Sequence, residues 1–234
     1  MLNRFKHRSD EKEMLDSPDI SKELLFQNLQ ELDILNRRLG GHSTTIQGIK
    51  KLVNDNIKTY HIVDLGCGSG DTMIFIATWA RKNGYIVKLT GIDINAAVID
   101  YMNQHCVDYP EINGVVSDYR EFLKSAEHID IVHCSLFCHH LNDNELFELF
   151  KWFKHNLKVG FVINDLQRSR MAYYCVQIFT HIFNGSLLSK NDGPISVLRG
   201  FKVNELKSLL QKEQIDKYSI SRRWAFRYLV VGQK

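Results

Sequence analysis

Residues 133–141 read HCSLFCHHL, so nine consecutive positions hold three histidines and two cysteines. Imidazole and thiolate groups are the usual zinc ligands in proteins. An imidazole whose pKa is near neutrality is also suited to proton transfer. The composition therefore leaves two chemistries open for this segment, metal binding and acid–base catalysis.

A zinc site built within this segment is disfavoured by the spacing of its residues. Zinc ligands usually come from two separated pieces of chain, and no second pair is evident. On strand alternation, His133 and Cys134 point to opposite faces and do not easily join one tetrahedron. A magnesium site that binds a catechol would need several carboxylates close together. Only Asp165 is available near this segment. We therefore expect no metal here.

The strongest chemical signal is the glycine-rich stretch HIVDLGCGSGDT at residues 61–72. An apolar run ends in Gly66, Gly68 and Gly70, and a helical pattern follows at once. Glycines permit a tight turn and a close approach of a ligand to the main chain, and the helix start offers free N–H groups. The spacing GxGxG differs from the GxGxxG of dinucleotide-binding proteins, and the GK[ST] of a P-loop is absent.

Two aspartates follow the next two apolar runs. Asp93 ends the second run about twenty residues beyond the glycines, where a carboxylate can accept hydrogen bonds from both ribose hydroxyls of an adenosine. Asp118 follows the third run. A lone aspartate often does no more than cap a helix. Here two aspartates follow successive predicted strands, and both come after the glycine stretch in the sequence. This arrangement instead favours contact of both with one shared ligand.

These elements together resemble the motifs of class I S-adenosylmethionine-dependent methyltransferases, whose first motif places an acidic residue in the strand before GxGxG. The resemblance implies S-adenosylmethionine as the cofactor, with Asp118 at the adenine amino group. The expected cofactor-binding residues are Asp64, Gly66, Cys67, Gly68, Gly70, Asp93, Ile94, Asn95, Asp118, Tyr119, Cys134 and Ser135.

The order of elements indicates how these residues are positioned. Apolar runs predict strands at 60–65, 86–92, 114–117, 129–134 and 160–164, with helical patterns at 72–82, 96–106 and 142–156 between most of them. Such alternation predicts a mainly parallel α/β sheet with helices on both faces. The tail reads as a hairpin, so its last strand is expected to be antiparallel. The resemblance implies the same Rossmann-like, three-layer sheet of seven strands.

Two additions to the sheet are expected. Residues 1–56 are predicted to form an N-terminal helical cap, loosely ordered over its charged first twenty residues and leucine-rich after Ser21. Residues 57–234 are predicted to form the cofactor-binding domain, in one compact unit with the cap. An insertion at about 168–200 exceeds the usual connection of about 2–6 residues. It is therefore expected to cover the carboxyl ends of the strands as a lid.

The insertion is predicted to contain an aromatic-rich helix over 171–183 and a loop at the DGP residues 192–194. With the leucine-rich first helix, this helix would form an apolar roof suited to an aromatic or lipid-like molecule. The expected substrate-binding residues are Arg168, Tyr173 and Arg199.

The segments INDLQRSR and DGPISVLRGF, together with HCSLFCHHL, resemble a bacterial methyltransferase group associated with polyketide and phenolic-lipid biosynthesis. The resemblance implies a small-molecule acceptor, with a phenolic or polyketide-like oxygen favoured. A phenol must lose a proton, for which His140 and His139, with Asp165 as a partner, are the expected groups. Nitrogen or carbon methylation, and cofactor binding without catalysis, remain as alternatives.

The composition argues against several broad functions. A net charge of +3 is small and evenly spread, which argues against a nucleic acid partner. No run of about 18 apolar residues predicts a membrane span, and the charged first residues lack a signal-peptide core. The five cysteines are irregularly spaced, which favours reduced thiols. We therefore expect a cytoplasmic enzyme.

Overall fold

The computed structural model describes residues 2–17, 20–182 and 185–234. Within these residues, the strands are β1 Thr59–Leu65, β2 Ile86–Asp93, β3 Ile112–Val116, β4 Ile131–Ser135, β5 Gly160–Leu166, β6 Tyr218–Arg223 and β7 Arg227–Gln233. They form one seven-stranded sheet in the order β3-β2-β1-β4-β5-β7-β6. Strands β1 to β5 pair in parallel, and β7 is antiparallel to both β5 and β6. The predicted fold class and the antiparallel last strand are confirmed.

The α-helices in the described part of the chain are α1 Lys22–Arg38, α2 Gly41–Ile49, α3 Asp71–Asn83, α4 Ala96–His105, α5 Tyr119–Ser125, α6 Asp143–Asn156, α7 Arg170–Ile182, α8 Leu187–Arg199 and α9 Val203–Lys212. Short 3₁₀ turns cover Leu2–Phe5, Met14–Asp16 and Cys138–His140. None of the described helices is long and apolar enough to cross a membrane.

The helices cover both faces of the sheet because neighbouring side chains on a strand point to opposite sides. On one face, Ile62 and Ile131 pack against α2, α3 and α4. On the other face, Val63 and Val132 pack against α5, α6 and α9. Strands β1 and β4 therefore contribute to two separate apolar cores, one on each face of the sheet.

The predicted loop at the DGP residues is wrong. Asp192, Gly193 and Pro194 lie inside α8. A proline within a helix removes one main-chain hydrogen bond. Extensive burial of α8, including Leu188 and Leu198 at 0% and 1% exposure, offsets that loss. Helix α2 begins at Gly41 because Gly40 adopts a left-handed φ of 73° and turns the chain there.

Residues 2–17, called here the N-terminal segment, are ordered against the predicted lid. Ser9 N–H donates to Leu198 O at 3.1 Å. The main-chain N–H groups of Met14 and Leu15 donate to the two carboxylate oxygens of Asp192 at 2.8 and 2.9 Å. The expectation of loose order here is therefore wrong for the described residues, because α7 and α8 give the segment fixed partners. Phe183, expected in the lid helix, lies outside the described residues.

Candidate active site

The glycine stretch forms a turn between β1 and α3. Gly66, Gly68 and Gly70 have φ values of 68°, 53° and 78°. Residues other than glycine rarely adopt this region of backbone conformation. The N–H groups of Gly66 and Cys67 donate to Ile92 O at 2.9 and 3.1 Å, so the turn is fastened to the end of β2. Leu29 of α1 lies over Gly68, which places the first helix above the turn.

Asp93 ends β2 beside this turn. Its carboxylate accepts a hydrogen bond from the main-chain N–H group of Asn95 at 2.9 Å, and the N–H groups of Gly68 and Ile94 lie close to it. Burial raises the pKa of Asp93, and these three donors oppose the rise. Asn95 caps α4, and Ile94 is 73% exposed next to the carboxylate. The structure thus brings together the glycine turn and the second-strand aspartate.

Asp118 and Tyr119 lie at the start of α5. Asp118 caps the helix and pairs with Arg120 Nη2 at 2.6 Å, and this partner lowers the pKa of the carboxyl. Burial raises the pKa of Tyr119 to about 12. The Tyr119 ring meets Phe137 edge to face at 5.4 Å, and Phe137 in turn lies against Gly66. An aromatic wall therefore connects the third strand end to the glycine turn.

Four other predicted cofactor residues have buried or half-buried side chains. Asp64 is buried on the α2 face, where it bonds to His133. Cys134 is fully buried on the opposite face, where burial and the neighbouring Cys138 raise the pKa of its thiol. Cys67 is also buried. Ser135 is half-buried at the end of β4. Because the side chains of Asp64 and Cys134 are buried, only their main-chain atoms could contact a ligand at the strand ends.

His139 and Asp165 form a buried pair where β4 and β5 end. Nδ1 of His139 lies 2.7 Å from Asp165 Oδ1, and its main-chain N–H donates to the other carboxylate oxygen at 3.2 Å. His139 lowers the pKa of Asp165 against the effect of burial. Nε2 of His139 faces Glu13 Oε1 of the N-terminal segment at 3.7 Å.

His140 also faces the N-terminal segment. Its Nε2 lies 3.9 Å from Glu13 Oε2, and its Nδ1 lies 3.4 Å from Asp16 Oδ1. Glu13 and Asp16 were missed by the sequence analysis. No local pattern distinguishes the buried Glu13 from the exposed Glu11 two residues earlier. Only the packing of the segment against α8 brings these carboxylates to the histidines.

The three predicted substrate residues hold the N-terminal segment and the turn at His139 and His140. Arg168 is buried and binds Gly200 O, Phe5 O and the carboxylate of Glu205. Tyr173 packs edge to face on Phe5 at 5.6 Å and accepts a hydrogen bond from Arg4. Arg199 donates to the carbonyl oxygens of His139 and His140 at 3.1 and 2.7 Å. None of the three side chains is directed toward the glycine turn by these contacts.

Comparison with known proteins agrees with this arrangement. Residues 62–160 match the methyltransferase domain family. The fold is similar to the plantazolicin methyltransferase BpumL in complex with SAH, which is 16% identical with a TM-score of 0.69, over 94% of this chain and 91% of that chain. Human N-acetylserotonin methyltransferase in complex with SAM is 16% identical with a TM-score of 0.63, over 92% and 56% of the two chains.

The citrinin polyketide synthase CMeT domain is 13% identical with a TM-score of 0.56, over 87% of this chain and 51% of that chain. A search of curated protein sequences gave no match. At these identities the solved structures show the fold, and the domain match covers residues 62–160. The glycine turn and the sheet order agree with that match, so the chain contains a methyltransferase domain and has the fold of the methyltransferases that bind SAM or SAH in those structures.

Proposed function

We propose that this enzyme methylates an oxygen of a small phenolic or polyketide-like molecule. The observation that supports an oxygen acceptor is the His139–Asp165 pair, in which a carboxylate holds Nδ1 at 2.7 Å and leaves Nε2 for a proton. Two similar structures are named for N-acetylserotonin and for a polyketide synthase, which supports a small-molecule acceptor.

The residues around the glycine turn fit an adenosine with an amino acid tail. Asp93 offers a carboxylate for ribose hydroxyls, and the exposed Ile94 beside it offers an apolar surface for a base. Asp118 would accept from the adenine amino group, Tyr119 would flank the ring, and the remaining N–H groups of the turn would hold the polar tail. When bound there, S-adenosylmethionine supplies an electrophilic methyl group on a sulfonium sulfur.

His139 and His140 are proposed to receive the proton of the acceptor hydroxyl. In the structure described here, Glu13 faces Nε2 of both rings at 3.7 and 3.9 Å. The N-terminal segment must therefore move before a hydroxyl reaches either imidazole. We propose that Arg168, Tyr173 and Arg199 act on the acceptor site through this segment, since they fasten it.

The cofactor site is tested by calorimetry with S-adenosylhomocysteine, the demethylated product of the cofactor. Asp93→Ala should weaken binding at least about a hundredfold, because two hydrogen bonds to a charged group are worth about 1.5–3 kcal/mol each. Asp100→Ala, on the exposed side of α4, is the matched control and should bind like the unaltered chain. Undiminished binding by Asp93→Ala would contradict the assignment.

The acceptor atom is tested by screening phenolic and polyketide-like molecules with labelled cofactor in the presence of a chelator. His140→Ala and His139→Ala should each lower kcat, by about 10²–10⁴-fold for the residue that takes the proton, with unchanged cofactor affinity. His155→Ala, an exposed histidine at the end of α6, is the control. A carbon- or nitrogen-methylated product identified by NMR would contradict the oxygen assignment, and full turnover by both variants would contradict the base.

A further inference from the structure

Three potential metal ligands converge where the N-terminal segment meets the turn that follows β4. Glu13, His139 and His140 each offer one ligand atom, and these atoms all lie within 4.8 Å of one another. Glu13 is only 5% exposed, and its Oε1 has no hydrogen-bond partner among the described residues. A buried carboxylate oxygen without a partner is costly, so this atom calls for a ligand.

We propose that Glu13, His139 and His140 bind one divalent transition-metal cation of the zinc type. Two imidazoles and one carboxylate are a common ligand set for such cations. Zinc–ligand bonds of about 2.0–2.2 Å place tetrahedral ligand atoms about 3.4 Å apart. The separations of 3.7 Å, from Glu13 Oε1 to Nε2 of His139, and 3.9 Å, from Glu13 Oε2 to Nε2 of His140, are each within about half an ångström of that spacing.

The residues behind the ligands support the same interpretation. Asp165 holds Nδ1 of His139 at 2.7 Å, which orients the ring and leaves Nε2 for a cation. Arg199 and Arg8 both donate to His139 O, at 3.1 and 2.9 Å, so the turn that carries the two imidazoles is fixed from behind. The two imidazoles are therefore held by fixed main chain, and Glu13 is the ligand that comes from the N-terminal segment.

The charges around the cluster favour a cation. Glu13, Asp16 and Asp165 supply three carboxylates, and Arg199 supplies one guanidinium, whose Nε lies 3.9 Å from Glu13 Oε1. The guanidinium of Arg8 behind His139 is balanced by the carboxylate of Asp143 at 3.1 Å. With neutral imidazoles, two negative charges remain, which one divalent cation balances. Protonation of both imidazoles would balance them as well. Binding measurements at neutral pH therefore decide between a cation and two protons.

A bound cation would join the N-terminal segment to the turn at His139 and His140. It would also occupy both Nε2 atoms and keep the segment closed over them. Turnover should then fall when the cation is added and recover with a chelator. This consequence rests on the proposed function, whereas the binding itself does not, so the two are measured separately.

Binding is tested on the full chain after treatment with a chelator, by calorimetric titration with Zn²⁺ alone. We expect one Zn²⁺ per chain. Glu13→Gln and His140→Ala should each weaken binding at least about tenfold, since even outer-shell partners contribute about 10–100-fold to metal affinity. The matched controls Glu11→Gln and His155→Ala, both at exposed positions, should bind as the unaltered chain does. Circular dichroism checks that each variant is folded.

Co²⁺ provides a second readout that identifies the ligand type. The proposed site should give the visible bands of tetrahedral cobalt without a thiolate-to-cobalt charge-transfer band, although Cys175 is exposed. Absence of saturable Zn²⁺ binding, equal affinities of Glu13→Gln and Glu11→Gln, or a thiolate band that disappears in Cys175→Ser would each overturn the site. If Zn²⁺ binds as expected but leaves turnover unchanged, the site stands and the proton-transfer role of the histidines fails.

Discussion

Two groups of polar side chains lie on opposite sides of β4, and both draw histidines from the same nine residues. On the α2 face, His133 lies between Asp64 Oδ1 at 2.7 Å and Thr45 Oγ1 at 3.0 Å. On the other side, His139 and His140 face Glu13, whose Oε1 has no hydrogen-bond partner in the described part of the chain. Every ring nitrogen of His133 has a partner in this saturated group, whereas the other, unsaturated group leaves one buried carboxylate oxygen without a hydrogen bond to any described residue.

The saturated group extends well beyond His133. Asn164 donates to Gly41 O at 2.9 Å and to Thr45 Oγ1 at 3.1 Å, and it accepts from Arg227. Arg227 also donates to Asn36 of α1 at 2.7 Å, and burial lowers the pKa of this guanidinium to about 10. These bonds join α1 and α2 to the sheet. Histidines of similar burial can thus serve architecture or binding, and partner saturation distinguishes the two.

The largest expected effect concerns the saturated group. His133→Ala removes the hydrogen-bond partner of the buried Asp64, and removing one member of a buried pair typically costs about 3–5 kcal/mol. Urea unfolding should show a fall in the free energy of unfolding of that size. A loss below about 1 kcal/mol would mean that His133 is not part of the architecture and would undo the comparison.

The second effect is stabilisation of the unsaturated group by a cation. Zn²⁺ at about one hundred times its dissociation constant should raise the free energy of unfolding by about 2.7 kcal/mol, because it binds the folded chain. Glu13→Gln should lose this gain at the same concentration, and Glu11→Gln should retain it. An equal gain in both variants would locate the cation elsewhere in the chain.

The smallest effect is that of His140→Ala measured without a metal. The His140 side chain is 23% exposed, and its carboxylate neighbours lie at 3.4 and 3.9 Å. Partly exposed ion pairs contribute about 0–1 kcal/mol, so the loss of unfolding free energy should stay within that range. A loss comparable to that of His133→Ala would show that the two groups do not differ in kind.

The sequence predicted the sheet well because its signals are local. Apolar runs ending in glycine or aspartate mark β1 and β2 directly, and alternation with helical patterns implies the parallel order. Helix α5 was missed because it is only seven residues long, with Asp118 as its cap. The DGP stretch was misread because tertiary burial of α8 overrides the local preference of Gly193 and Pro194.

The candidate site was predictable only in the part that follows the strands in sequence. Asp93 lies beside the glycine turn as expected, because carboxyl ends of parallel strands meet at one edge. Glu13 was beyond sequence reasoning, since its partners His139 and His140 are brought to it by the packing of the N-terminal segment on α8. A zinc site usually takes ligands from two separated pieces of chain. In this protein the second piece is the N-terminal segment, and only the tertiary structure brings it to the histidines.

Helix α2 has a consequence for how the chain folds as it is made. Its Gly48 lies directly on Val162 of β5, with no room for a methyl group between them, and Gly41 O accepts from Asn164, 123 residues later. At about 5–20 residues per second, α2 therefore waits roughly 6–25 s for the strand that it covers. During that interval the part of α2 that covers β5 has no partner there. Helix α1 waits longer still, because Arg227, which donates to Asn36, belongs to β7.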